Sequence, residues 1–194
     1  LLAFCNQALY AHEEQLRQGF LTLPYGHRVG VCGHMVMQDG KPLRLSGVQG
    51  MKVRIARQMA CDMRAVDVVR HGRALRSTLI VSPPGLGKTT MLRELARQLS
   101  GLGVQVALAD ERGELAACVQ GVPQLDVGER TDVMDNMPKA EAVQLLIRAM
   151  SPDLGVSDEI GSAQDAEALM DAQRCGVKVL CSAHGASYGD VRGR

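Results

Sequence analysis

The segment Ser82-Pro83-Pro84-Gly85-Leu86-Gly87-Lys88-Thr89-Thr90 sets glycines, a lysine and a hydroxyl in the order that binding a phosphate chain requires. Gly85 and Gly87 omit side chains where the backbone must fold tightly around an anion, so that successive N–H groups can face phosphate oxygens. Lys88 would reach the β- and γ-phosphates as a mobile cation. The Thr89 hydroxyl would take one position on a magnesium ion that otherwise keeps water and phosphate oxygens. The strict pattern has glycine five residues before Gly87; Ser82 stands there, so the match is to a relaxed form.

Acidic pairs form the second set. Asp158 and Glu159 suit a magnesium-dependent hydrolysis, in which one acid holds the metal shell and the other orients and deprotonates the attacking water. Asp110-Glu111 competes for the same work, with Glu111 the runner-up as base. His184 ends another apolar run and is either a site residue or a strand-end histidine. Arg112 and Arg130 border or lie within a stretch without core pattern, Gly113 to Met137, and are expected to approach phosphate, their own or a neighbour's, as charge stabilisers.

These residues need strands to carry them. Thr78-Leu79-Ile80-Val81 reads as a strand before the glycines, and Met91, Leu92, Leu95, Ala96 and Leu99 recur at helical spacing after them. Further strands are expected at Val104–Ala109, Asp153–Ser157 and Val177–Cys181, alternating with helices over Pro138–Met150 and Gln164–Cys175. The alternation predicts an α/β fold with a parallel sheet and helices on both faces. Sites in such sheets lie at the carboxyl ends of the strands, where Lys88, Glu111, Asp158, Glu159 and His184 all fall. The strand leading to Asp158 is expected to lie beside the phosphate-loop strand.

Ahead of this region the pattern differs. Residues 1–18 read as an amphipathic helix, and Asp39-Gly40 between Val29–Met37 and Leu43–Val48 signals a hairpin. We expect a small α+β unit over residues 1–70 and a nucleotide domain over 71–194, joined through an arginine-rich linking segment. His27 and His34 lack a second ligand at metal spacing and are assigned no chemistry.

Composition bounds the partners. The 194 residues are 46% hydrophobic, enough for a real core, and 22 Lys plus Arg against 21 Asp plus Glu leave a charge of +1. No basic excess tracks a nucleic-acid backbone, so nucleic acid is not favoured. The six cysteines have no Cys-x-x-Cys pair and read as reduced core thiols of a cytosolic protein. No apolar run is long enough to span a membrane. Leu1 opens directly into helical periodicity, so the chain is expected to be a fragment at its N-terminus, and at its C-terminus too.

The runs Asp110-Glu111-Arg112, Gln120-Gly121-Val122-Pro123-Gln124, Asp126-Val127-Gly128, Arg130-Thr131-Asp132-Val133, Pro138-Lys139-Ala140-Glu141, Ser151-Pro152-Asp153, Asp158-Glu159-Ile160-Gly161 and Ala183-His184-Gly185 together resemble the stage III sporulation protein AA family. That family comprises ATPases of spore-forming bacteria similar to the motor ATPases of type II and type IV secretion and pilus systems. The resemblance implies a P-loop NTPase with a RecA/AAA-like sheet, using ATP and Mg2+. It makes residues 82–89 the Walker A loop, Asp158 and Glu159 the Walker B acids, Asp110 and Glu111 an acidic box, and His184 a γ-phosphate sensor. It also implies a homo-oligomer, a hexameric ring, with membrane proteins of a sporulation complex as partners and a cytoplasmic location at the inner face of a membrane. Ser162 departs from the pattern, standing where a basic residue is expected. A P-loop kinase of a small metabolite and a nucleotide-gated binding module with little turnover are the rival readings.

Overall fold

The computed structural model describes Phe4, residues 12–56, Asp62 and residues 64–192. Most of the expected first helix lies outside the described residues; within them α1 runs Glu13–Arg17. Strands β1 (Phe20–Thr22), β2 (Arg28–Gln38) and β3 (Lys41–Arg54) pair antiparallel in that order. Asp39 and Gly40 turn the β2–β3 hairpin with φ of 51° and 75°, the paired left-handed conformation that suits the twist of a two-residue loop. Leu16, Leu21, Val29 and Val31 form a small core under this sheet.

Helix α2 (Arg64–Val69) and the short hairpin β4 (Arg70–His71) and β5 (Ala74–Leu75) lead into the larger sheet. It comprises β6 (Thr78–Ser82), β7 (Val106–Asp110), β8 (Thr131–Asp135), β9 (Leu154–Ser157) and β10 (Lys178–His184). All its pairings are parallel, in the order β6-β10-β9-β7-β8. The connecting helices are α3 (Lys88–Gly101), α4 (Lys139–Met150) and α5 (Ala163–Arg174), and α6 (Tyr188–Val191) follows β10.

The sequence of β7 shows why the sheet is covered twice. Val106 and Leu108 point into one core with Val66 and Val69 of α2 and Leu92, Leu95 and Leu99 of α3. Ala107 and Ala109, on the opposite face, pack with Ala142, Val143 and Leu146 of α4 and with Leu169 and Ala172 of α5. Successive strand residues alternate faces, so a strand buried on both reads as an unbroken apolar run.

Two features differ from the sequence reading. Strand β8 lies inside the stretch read as irregular, because Thr131, Asp132 and Asp135 dilute its apolar pattern; at the sheet edge every residue of it is only half-buried. Strand β10 separates β6 from β9, so the expected adjacency of the phosphate-loop strand and the Asp158 strand is not met. Strands β6, β9 and β10 are largely apolar runs, and nothing local in such runs encodes their order. Ser162, in place of the expected basic residue, has a helical role: its hydroxyl accepts from the Asp165 N–H, and the Asp165 carboxylate accepts from the Ser162 N–H, closing a capping box on α5.

Candidate functional site

The loop between β6 and α3 has the shape its glycines predict. Gly85 and Gly87 have φ of 80° and 82°. A Cβ at either would meet nothing within 4 Å, so left-handed backbone, not space, demands glycine there. No side chain caps the first turn of α3, which leaves its N–H groups for an anion at the positive end of the helix dipole. Pro83, Pro84, Gly85 and Leu86 are exposed, while Thr89 and Thr90 are half-buried in the first turn.

Lys88 is buried, and its Nζ donates to Ser82 O at 2.8 Å, to Pro83 O at 3.0 Å and to Ser82 Oγ at 3.4 Å. It also lies 2.9 Å from His184 Nδ1. None of these four partners is a carboxylate. Strand pairing explains the histidine contact, because the parallel register sets His184 beside Ser82. His184 Nε2 in turn lies 3.1 Å from Glu159 Oε1. With the ammonium donating to Nδ1, the ring that satisfies both contacts carries its proton on Nε2 and donates it to Glu159.

Glu159 is held at several atoms. Its N–H donates to the buried Ser182 Oγ at 3.1 Å, and its Oε2 pairs with Arg112 Nη1 at 3.4 Å. Lys139, which sequence reading did not single out as a site residue, donates from Nζ to the Glu159 carbonyl at 2.6 Å. The same ammonium stands 3.5 Å from Asp158 Oδ1 and 3.6 Å from Glu111 Oε2. A sequence signal existed: a lysine in the first turn of a helix opposes the helix dipole, a local cost that functional positions tolerate.

Asp158 is buried, and that burial pushes its carboxyl up to about 6; nearby Lys139 lowers it, Asp110 and Glu114 raise it and Arg112 lowers it. Its Oδ1 is buried and accepts no hydrogen bond. A buried carboxylate oxygen that accepts no hydrogen bond suits hard, oxygen-seeking Mg2+, as does the half-buried Thr89 hydroxyl at the start of α3, so Asp158 and Thr89 fit the metal that the resemblance implies.

Two expected residues lie elsewhere. Asp110 is fully buried, and its oxygens accept from the N–H groups of Glu114, Leu115, Ala116 and Ala117 at 2.8–3.3 Å. With both oxygens so engaged it builds the turn after β7, which Arg93 holds from the other side through the Leu115 and Glu114 carbonyls. Arg130 precedes β8 and thus lies at the amino end of the sheet, its carbonyl accepting from the Val106 N–H and its guanidinium 3.5 Å from Gln105 Oε1. Five strand residues, about 16 Å, separate it from the edge that carries the loop. The described cysteines are also divided: Cys118 and Cys181 are buried, their thiols pushed up to about 12 by burial, whereas Cys32 and Cys175 are exposed and are not the core thiols expected; Cys5 and Cys61 lie outside the described residues.

The profile of the family described as Sporulation stage III, protein AA, matches residues 2–194. The chain belongs to this family. It is 40% identical over 195 residues to Stage III sporulation protein AA of Bacillus subtilis (strain 168), covering 97% of this chain and 63% of that relative. The chain therefore spans less than two thirds of that protein's length. An uncharacterized protein, ycf45, of Cyanidium caldarium is 27% identical over 146 residues, 73% of this chain and 42% of its own. The Legionella pneumophila ATPase DotB superposes with a TM-score of 0.56 at 16% identity, over 87% of this chain and 45% of that one. The shared architecture is the P-loop α/β fold, with a parallel five-stranded sheet between helices.

Proposed function

We propose that this chain binds ATP with Mg2+ at residues 82–90 and hydrolyses it, as a motor-type ATPase whose turnover drives conformational change in an oligomer. The observation that carries the reading is the buried Lys88 ammonium, held by carbonyl, hydroxyl and imidazole groups and by no carboxylate. Among the described residues no carboxylate pairs with this cation at the helix start, and a phosphate would supply the counter-charge. Residues 85–89 would wrap the phosphates, and Thr89 and Asp158 would hold the metal. Magnesium would supply neutralising charge to the phosphate oxygens. Glu159 would take the proton of the attacking water, and His184 would report the γ-phosphate to it. The separation of β6 from β9 by β10 supports that assignment, since two strand spacings, about 10 Å, leave room for a water between a phosphate on the loop and the acid.

The homo-oligomer, in the form of a hexameric ring, the membrane proteins of a sporulation complex as partners, and the cytoplasmic location are part of the same proposal, supported by family membership. Arg130 would serve a neighbouring subunit's site, because its own lies at the other end of the strands. Phosphate release from ATP by the full-length protein, with magnesium and no acceptor, tests the reading. Steady release supports it. Binding without release would leave a nucleotide-gated module, and release only with an added metabolite would leave a kinase.

A further inference from the structure

Among the described residues Lys139 brings three acidic positions to one point. It begins α4, the helix after β8, and reaches across the carboxyl ends of β7 and β9. Its side chain is 8% exposed. Around its Nζ stand Glu159 O at 2.6 Å, Asp158 O at 3.4 Å, Asp158 Oδ1 at 3.5 Å and Glu111 Oε2 at 3.6 Å. The Glu159 carboxylate points away from it, toward His184 and Arg112. The cation thus divides the acids: two carboxylates face it, and the third is presented to the phosphate-loop side by the backbone carbonyl it grips.

We propose that Lys139 is a positioning residue for hydrolysis: it fixes the end of β9 through the Glu159 carbonyl and is the shared counter-ion of Asp158 and Glu111, so that Glu159 alone is offered to the attacking water. This rests on the ATPase reading above. The placement costs the helix, because a cation at an amino end opposes the dipole, and a buried ammonium must be surrounded by acceptors to be tolerated. Lys139 has both carbonyls and both carboxylates as recompense. None of these contacts belongs to residues 82–90, so changing Lys139 leaves the phosphate loop's own contacts in place.

The test uses the full-length protein with Lys139→Met, which keeps much of the stem and removes the charge, and Lys139→Gln, which keeps a donor. For both, a fluorescent ATP analogue with magnesium should bind no more than threefold weaker than the parent, while kcat falls at least tenfold. Lys139→Gln should retain more turnover than Lys139→Met, since it can still hold the carbonyl. Loss of affinity and of melting temperature together, with kcat of the nucleotide-loaded protein unchanged, would make Lys139 a structural anchor and overturn the proposal. A second readout needs no turnover: Mn2+ alone, followed by electron paramagnetic resonance, should bind Lys139→Met at least tenfold tighter than the parent, because two carboxylates have lost their common cation. Equal Mn2+ binding removes the counter-ion role. A parent that hydrolyses no ATP defeats the ATPase reading, while the Mn2+ comparison still judges Lys139.

Discussion

Lys88 Nζ and His184 Nδ1 lie 2.9 Å apart, so the loop that would hold phosphate and the end of β10 share one hydrogen bond. The contact follows from topology: β10 lies directly beside β6, and its His184 is paired in register with Ser82. Through Nε2 the same ring touches Glu159, which links the loop cation to the proposed base in two steps.

Lys88→Ala should weaken ATP binding about ten- to a hundredfold, matching the roughly 1.5–3 kcal/mol of a hydrogen bond to a charged group. Turnover should vanish with it. Titration with a fluorescent ATP analogue measures the first effect, and an unchanged affinity would remove residues 82–90 as the phosphate site.

Much of this arrangement was legible in the chain. The loop, its strand and its helix follow from Gly85, Gly87, Lys88 and the helical spacing after Met91, because phosphate binding restricts residue type position by position. Strand order was not legible: apolar runs such as Leu154–Ser157 and Lys178–His184 encode burial and not neighbours. Asp110 misled for a different reason. A carboxylate after a strand looks the same in sequence whether it faces a ligand or gathers backbone N–H groups, and only the turn at Glu114 to Ala117 decides. Lys139 needed the third dimension, since its partners Glu111 and Glu159 come from strands 20 and more residues away in the chain.

Glu159→Gln keeps shape and hydrogen bonding but accepts no proton. ATP should still bind, and hydrolysis should fall by about a hundredfold or more. Glu111→Gln, whose carboxylate faces Lys139 and not His184, should cost less than tenfold. The reverse ranking in steady-state rates would move the base to Glu111.

Asp158 connects stability to pH. Its carboxyl titrates near 6 when folded, against the ordinary 3.8, because burial disfavours the charge. A raised acid contributes stability that is fully present below about 4 and is lost as pH rises through about 6. At pH 8 the folded chain therefore bears the cost of the buried charge. Asp158→Asn should be more stable than the parent there, by about 1–3 kcal/mol in chelator-containing buffer, and the advantage should shrink toward zero at about pH 4. Urea unfolding at the two pH values checks this, and a variant less stable at pH 8 would contradict the desolvation account. Magnesium-dependent turnover should be lost in the same protein.

Arg112 and Arg130, alike in sequence context, lie at opposite ends of the sheet. Arg112 pairs with Glu159 at 3.4 Å and is largely exposed, so its removal should change melting little, an exposed pair contributing at most about 1 kcal/mol. Arg130 cannot serve its own site if the strands between stay folded, and so its proposed work is in trans. Arg130→Ala should assemble normally and bind ATP but turn over slowly, and Lys88→Ala should bind little and turn over nothing. In the proposed oligomer, a mixture of the two variants would bring an intact phosphate loop from one chain to an intact Arg130 from its neighbour. Activity per chain should then rise above the sum of the separate variants, reaching a maximum near equal proportions. Activities that merely add at every ratio would confine each site to one subunit and remove Arg130 from catalysis.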